Sequence, residues 1–173
     1  GPAGTGPVTF VVHLMQGGRL KPDDKQSAKP RGGIARWTFD DGRALLLTEP
    51  GTERKAGVWV VAGDLEAQEP ILGLGPEAAG LDEAALGALL AAHPMRLHGF
   101  LRDQHTIAGL GRMLANEVCH RAKLSPFAMT GKLGAEGAHA VREAIHACVA
   151  DGLAYERTRT DMSSSADRPG AVH

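Results

Sequence analysis

The spacing of hydrophobic positions changes along this chain, and the change divides it into two parts. Residues 8–15 are β-rich and nearly all apolar, a pattern typical of a strand buried on both faces. Residues 34–39 and 43–47 are further strands, and the Asp-Gly pair at 41–42 between them predicts a hairpin. A fourth strand is predicted over 57–61. These four strands are part of a β-sandwich but too few to close one.

The second part begins with a linker and continues with helical spacing. Residues 68–80 are rich in proline and glycine, and Asp82 after them is a suitable N-cap for a helix that reaches residue 92. Pro94 opens the next helix, as proline can in a first turn, and this helix directs Leu97 and Leu101 toward a core.

Two further helices follow. The third spans residues 112–122, and the fourth spans 135–150. The fourth helix carries an apolar stripe formed by Val141, Ile145, Cys148 and Val149. Strands followed by helices predict an α+β fold, a partial β-sandwich followed by an all-α domain.

The same pattern gives the expected domain limits. We expect an incomplete β-sandwich over residues 1–67, a linker over 68–80, an all-α domain over 81–157 and a flexible polar tail over 158–173.

Composition narrows the possible functions. The 173 residues carry a net charge of −1, which argues against attraction of nucleic acid by overall charge. Only local basic patches could then attract phosphates.

The two cysteines, Cys119 and Cys148, form no C-x-x-C pair, so no zinc ribbon is expected and both are predicted to be free buried thiols. No signal peptide or membrane-length apolar run is evident. We therefore expect a cytoplasmic monomer with no membrane partner.

The strongest candidate for chemistry is a glycine-containing corner between the second and third helices. Gly109 and Gly111 allow a tight double turn, and we expect both to present bare N–H groups. The start of a helix attracts negative charge, so this corner can hold a phosphate of a nucleic-acid backbone, with Arg112 beside it. An ordinary helical hairpin without a ligand is the alternative interpretation.

One face of the predicted fourth helix carries residue types that can bind a metal ion. Glu136, His139, Glu143 and His146 recur at helical spacing. A polar face opposite an apolar stripe is expected without any metal, so no metal ligand is predicted there.

Four short segments of the helical part carry a resemblance to a known family. They are Asp103-Gln104, Ala108-Gly109-Leu110-Gly111, Ala115-Asn116-Glu117 and Ser125-Pro126-Phe127. They resemble the helix–two-turns–helix segment of the formamidopyrimidine-DNA glycosylase and endonuclease VIII family. Residues 74–77, 12–14 and 18–20 extend the likeness to the entry of the helical domain and to the sandwich.

The resemblance implies base-excision repair of double-stranded DNA that carries an oxidised base. In this family a β-sandwich precedes a helical domain, and DNA lies in the cleft between them. A mature N-terminal proline followed by glutamate forms a Schiff base with the damaged nucleotide and cleaves the strand. Here Pro2 follows Gly1 and precedes Ala3, so we interpret it as a coincidence and assign no catalytic residue.

The chain is therefore expected to be the central portion of such an enzyme. No cofactor is expected in this segment, because the family's zinc belongs to a C-terminal finger that would follow residue 173. The expected location is the bacterial cytoplasm, in association with the nucleoid.

The resemblance also implies DNA contacts at particular residues. Gln16 stands near the family's methionine that fills the gap left by a flipped base, with an ordinary strand-end turn as the alternative. Arg54 lies where members carry residues that support the orphaned base, although a solvated loop is the simpler interpretation. Arg112 replaces an asparagine that contacts phosphate. The pair Asn116-Glu117 is expected to brace the hairpin.

Two other functions stay open from the sequence. A helix–two-turns–helix hairpin also occurs in a ribosomal protein, so the chain could be a non-catalytic nucleic-acid-binding module. The near-neutral charge is also compatible with a small soluble domain that has no nucleic-acid role.

Overall fold

A computed structural model of the protein describes residues 8–158 and divides the chain into two compact units between Leu72 and Gly73. The first unit contains the strands and the second contains the helices, which confirms the predicted α+β class. Except for residue 158, the predicted tail lies outside the described residues, as does Pro2.

Five antiparallel strands form two small sheets in the described part of the first unit, residues 8–72. They are β1 (Val8–His13), β2 (Arg19–Pro22), β3 (Gly33–Thr38), β4 (Ala44–Thr48) and β5 (Gly57–Ala62). Strand β1 pairs with β5, and the second sheet has the order β2-β4-β3. Phe10 and Trp37 connect the two sheets by an edge-to-face contact, with ring centroids 5.9 Å apart.

The central strand β4 supplies most of the core of this unit. Leu46 and Leu47 are buried, as expected for a strand that has a neighbour on each side. The predicted hairpin between β3 and β4 is confirmed. Gly42 has a φ of +82°, which its lack of a Cβ permits, and its N–H donates to the Phe39 carbonyl.

Two sequence predictions for this unit are wrong. Strand β1 is not buried on both faces, because Val8 and Phe10 on one face of the two-stranded sheet are about half exposed. The prediction of four strands is also wrong, because the described residues contain a fifth strand, β2 (Arg19–Pro22). This strand is a short, charged sheet edge that ends at Pro22, and such an edge carries no alternating hydrophobic pattern.

Between residues 73 and 158, the second unit contains four α-helices. They are α1 (Glu83–Ala92), α2 (Leu97–Arg102), α3 (Arg112–Arg121) and α4 (Gly134–Thr158). Asp82 is the N-cap of α1, as predicted, and its carboxylate accepts the Ala85 N–H at 2.7 Å. The helices pack around one hydrophobic core whose largest fully buried side chains include Leu97, Phe100, Leu101, Val118, Val141 and Ile145.

Two helix boundaries differ from the prediction. Pro94 does not open α2, because Arg96 and Met129 form a β-bridge ahead of the helix and delay its start to Leu97. Helix α4 continues past residue 150 to Thr158, so Gly152 lies within a helix that its packing partners stabilise.

Both cysteines are free and buried, as predicted. Burial raises the pKa of each thiol, which keeps both neutral at physiological pH. Among residues 8–158, no helix combines the length and the apolar character needed to cross a bilayer.

An exposed pair joins α1 to α4. His139 Nδ1 lies 2.8 Å from Glu83 Oε2, and this hydrogen bond with its attendant charge attraction raises the pKa of His139. Since the folded chain favours the protonated imidazole, the pair stabilises the fold below the ordinary histidine pKa. That contribution is lost as pH rises through the raised value.

We expect Glu83→Gln to lower the pKa of His139 in an NMR titration of the imidazole protons. Glu136→Gln is the matched control, since it neutralises another exposed carboxylate of the unit, on α4 itself, without touching the pair. Identical titration of His139 in the wild type and in Glu83→Gln would contradict this assignment.

Candidate nucleic-acid interface

The corner between α2 and α3 is anchored by buried side chains and exposes its glycines. Ile107 and Leu110 are 0% and 1% exposed, so they fix the two turns to the core. Gly109, between them, and Gly111 are exposed. Gly109 has a φ of +95°, a conformation that favours glycine, whereas Gly111 is extended at φ −84°.

Asp103 organises the first turn. Its carboxylate accepts the Thr106 hydroxyl at 2.8 Å and the His105 N–H at 3.1 Å, and these two hydrogen bonds, in that order of importance, lower the pKa of Asp103. Backbone N–H groups of Thr106 and Ile107 also donate to the Asp103 carbonyl. The turn is therefore held by its own residues.

Gln104 clamps the second turn with both ends of its amide. Its Oε1 accepts the Gly109 N–H at 3.0 Å, and its Nε2 donates to the Leu110 carbonyl at 2.8 Å. The prediction that both glycines present bare N–H groups is therefore wrong for Gly109, because Gln104 satisfies that donor within the protein. The sequence indicated Gln104 only through the family resemblance.

Gly111 and Arg112 form the part of the corner that is open to a ligand. Gly111 is the N-cap of α3, and as a glycine it has no side chain with which to cap the helix. No acidic residue lies in the first turn of α3, so the positive end of its dipole keeps its effect. Arg112 is exposed and forms no ion pair with any residue between 8 and 158. An exposed arginine without an ion pair among the described residues is thus the first residue of α3.

A carboxylate that the sequence reasoning missed also lies at this corner. Glu77 and Ala108 form a parallel β-bridge, with the Ala78 N–H donating to the Ala108 carbonyl at 2.9 Å. This pairing holds the Glu77 carboxylate so close to Gly109 that a Cβ added there would collide with it. A phosphate would therefore be repelled on the Gly109 side and favoured on the side of Gly111 and Arg112.

Glu117 braces α3 against α4, which agrees with the structural role expected for it. Arg121 Nε donates to its Oε1 at 2.7 Å, and Arg121 Nη1 donates to Asp151 Oδ2 of α4 at 2.6 Å. These two hydrogen bonds raise the pKa of Arg121 above its already high value. Arg121 is therefore committed to the fold and not offered to a ligand.

In the first unit, Gln16 lies in the turn that joins β1 to β2. This turn is closed by the Gly18 N–H, which donates to the Leu14 carbonyl at 2.8 Å. Met15 occupies a left-handed conformation at φ +52°, and both Met15 and Gln16 are exposed. Either side chain is free of the core at the tip of the turn.

Arg54 is also exposed, in the loop between β4 and β5, where its Nη1 donates to the Gly33 carbonyl at 3.5 Å. The loop is organised by Glu49, a 4% exposed carboxylate whose Oε2 accepts the backbone N–H groups of Lys55 and Ala56 at 2.7 and 2.8 Å. No pattern in the sequence distinguished Glu49 from a surface carboxylate.

The polar face of α4 is occupied by ion pairs. His139 pairs with Glu83, and Glu143 pairs with Arg142. Within residues 8–158, no group of three or more histidine, cysteine, aspartate or glutamate side chains is arranged to hold a metal ion.

Comparison with known proteins supports the likeness seen in the sequence. The family model described as "Formamidopyrimidine-DNA glycosylase H2TH domain" matches residues 72–164, more than half of the chain. A formamidopyrimidine-DNA glycosylase of Thiobacillus denitrificans is 28% identical over 153 residues, which is 85% of this chain and 56% of that protein. A formamidopyrimidine-DNA glycosylase-like protein of Mycobacterium tuberculosis is 36% identical over 80 residues, or 46% of this chain and 51% of that protein.

Solved structures have the same fold. The MutM (Fpg) protein of Thermus thermophilus matches with a TM-score of 0.70 and 27% identity, covering 85% of this chain and 53% of its own. Lactococcus lactis Fpg, solved in complex with abasic-site DNA, matches with a TM-score of 0.71 over 85% of this chain and 54% of its own, and at 18% identity this likeness shows the fold alone. The chain spans little more than half the length of these relatives.

The two glycines of the corner should respond differently to alanine. We expect Gly109→Ala to lower the free energy of unfolding by about 1–2 kcal/mol, because the added Cβ makes its positive φ strained. Gly111→Ala should change it by less than about 0.5 kcal/mol, since its φ is ordinary and a Cβ there meets nothing within 4 Å. Urea unfolding of both variants measures the difference, and equal destabilisation would contradict the described geometry.

Proposed function

The chain belongs to the family defined by the formamidopyrimidine-DNA glycosylase H2TH domain, and from this premise we propose that it binds damaged duplex DNA as part of a base-excision repair enzyme. The activity that we propose for the whole enzyme is that of a glycosylase with abasic-site lyase activity, which removes oxidised bases. The segment described here supplies DNA contacts and not the nucleophile.

The observation that carries the proposal is the open side of the helical corner. Gly111, the N-cap of α3, contributes no capping side chain, and Arg112 adds a guanidinium to the first residue of the helix. Backbone donors at a helix start together with a fork of N–H donors are suited to a phosphate of a DNA strand. The Lactococcus lactis relative was solved with abasic-site DNA, which supports DNA as the ligand of this fold.

Two exposed side chains of the first unit are further candidates for DNA contacts. Gln16 is exposed at the tip of the β1–β2 turn, and we propose that it enters the gap left by a flipped base. Arg54 carries an exposed guanidinium that we propose to lie near the DNA backbone. Substitution of Gln16 is expected to weaken binding to damaged DNA more than binding to intact DNA, whereas substitution of Arg54, a backbone contact, should weaken both alike.

Neutralising Arg112 should weaken DNA binding through the loss of one phosphate contact. We expect Arg112→Gln to lower affinity for a duplex with an abasic-site analogue about tenfold, and to reduce the slope of log affinity against log salt by about one. Fluorescence anisotropy at several salt concentrations measures both quantities.

The matched control for this measurement is Lys123→Gln. Lys123 is exposed just beyond the far end of α3, about 15 Å of helix from Arg112, so its neutralisation should leave affinity within about twofold. Equal losses in both variants would indicate general charge attraction and contradict a phosphate site at the corner. Gly111→Ala should weaken binding without loss of stability, because its Cβ would separate the phosphate from the N–H groups.

The 173-residue polypeptide should bind abasic DNA without forming a covalent intermediate. The nitrogen of Pro2 is an amide in this polypeptide, so it cannot form the Schiff base that borohydride would trap. Removal of Gly1 is the informative control: it makes Pro2 an N-terminal secondary amine, but Ala3 follows it in place of glutamate. We expect no adduct from either form, and an adduct with the 173-residue form would overturn the assignment of no catalytic residue.

A further inference from the structure

Glu49 is a buried carboxylate that the proposed DNA contacts do not use. It directly follows the central strand β4, is 4% exposed, and forms no ion pair with any residue between 8 and 158. Burying a charge without a partner of opposite sign costs stability unless hydrogen bonds compensate for it. The contacts that Glu49 does form therefore indicate why a carboxylate stands there.

Three loops of the first unit meet at Glu49. Its Oε2 accepts the N–H groups of Lys55 and Ala56, in the β4–β5 loop, at 2.7 and 2.8 Å. Its own backbone N–H donates to the Gly32 carbonyl, at the end of the β2–β3 loop, at 2.9 Å. A Cβ added to Gly17, in the β1–β2 turn, would lie 3.0 Å from Oε1 and 3.2 Å from Cγ, so the side chain packs closely against that turn.

The two side chains of this unit that we propose for DNA contacts are next in sequence to residues that Glu49 touches. Gln16 precedes Gly17, and Arg54 precedes Lys55. Glu49 therefore connects the turn that carries Gln16 to the loop that carries Arg54. Two charge-assisted hydrogen bonds form one side of this connection and close packing forms the other, so a displaced carboxylate would move one loop relative to the other.

The glycine at position 17 indicates that the close approach of the turn matters. The φ of Gly17 is not in the positive range, so its backbone does not require glycine. The nearest atoms that a side chain there would meet are those of the Glu49 carboxylate and its Cγ. Glycine thus lets the turn rest directly on Glu49, a contact that the hydrogen bonds within the β4–β5 loop do not need.

We propose that Glu49 is a positioning residue for the recognition of damaged DNA, which sets the placement of Gln16 relative to Arg54. This role rests on the proposed function, because both side chains are assigned to DNA there. Glu49 acts through its neighbours and not on DNA directly, since it is buried and its charge would repel a phosphate.

A double-variant cycle on the full chain tests this coupling. Fluorescence anisotropy gives the ratio of affinities for a duplex with an abasic-site analogue and for the intact duplex, in the wild type, Glu49→Gln, Gln16→Ala and the double variant. We expect Glu49→Gln to lower the ratio about fivefold in the wild-type background and less than about 1.5-fold in the Gln16→Ala background. Equal effects in the two backgrounds, or an unchanged ratio in Glu49→Gln, would overturn the proposal.

Glu53→Gln is the matched control for charge. Glu53 lies in the same loop but is exposed, with its carboxylate 3.6 Å from Lys55 Nζ. Its neutralisation removes the same charge and should leave the ratio within about 1.5-fold of the wild type. A decrease as large as that of Glu49→Gln would indicate a general charge effect and contradict a positioning role.

Hydrogen exchange tests the same connection without a change at Glu49. The amides of Lys55 and Ala56 donate to its carboxylate, and insertion of Gln16 at an abasic site should slow their exchange about threefold relative to the complex with intact duplex. Gln16→Ala, a change at an exposed side chain, should remove this difference. Equal exchange in the two wild-type complexes, or a difference that persists in Gln16→Ala, would overturn the proposal even if Glu49→Gln did not fold.

Failure of the proposed function would give a different result. A wild-type chain that binds neither duplex would refute DNA binding and, with it, the role of Glu49. A wild-type chain that prefers the abasic duplex, and keeps this preference in Glu49→Gln, would refute the role of Glu49 alone.

Discussion

Two kinds of interaction fix the chain between α2 and α3: burial of side chains in the core and hydrogen bonds from one side-chain amide. Ile107 and Leu110 are buried in the core, and their burial decides which side of each turn faces inward. The amide of Gln104 then joins the Gly109 N–H to the Leu110 carbonyl, so the backbone between the buried side chains cannot relax into another turn. Gly111 and Arg112 follow directly after this fixed turn, and both are exposed.

This arrangement separates groups that maintain the fold from groups that are available to a ligand. Asp103, Gln104 and Glu117 all form hydrogen bonds within the protein, and so does Arg121. Arg112 forms no ion pair among residues 8–158. A cation that is not neutralised by the protein is the kind that can exchange water for a phosphate, and this is the basis of the DNA contact that we propose for a chain with a net charge of −1.

Carboxylates limit where anions can approach the helical unit. Glu77 stands so close to Gly109 that a Cβ added at the glycine would collide with its carboxylate. Its negative charge disfavours an anion on the Gly109 side and leaves the side of Gly111 and Arg112 as the approach for a phosphate.

The sequence by itself determined the fold class, the β3–β4 hairpin, the start and end of α3 and the N-cap at Asp82, because each depends on local spacing or turn chemistry. It also indicated the corner residues, through glycine placement and the family resemblance. The satisfied N–H of Gly109, the carboxylate of Glu77 beside it and the buried role of Glu49 were decided by tertiary structure. Each depends on side chains or strands that the fold brings together from distant or non-periodic positions, and hydrophobic spacing does not predict such contacts.

The sequence also did not predict the exposed face of β1. An apolar run indicates a preference for burial, but only the tertiary structure decides whether another layer covers it.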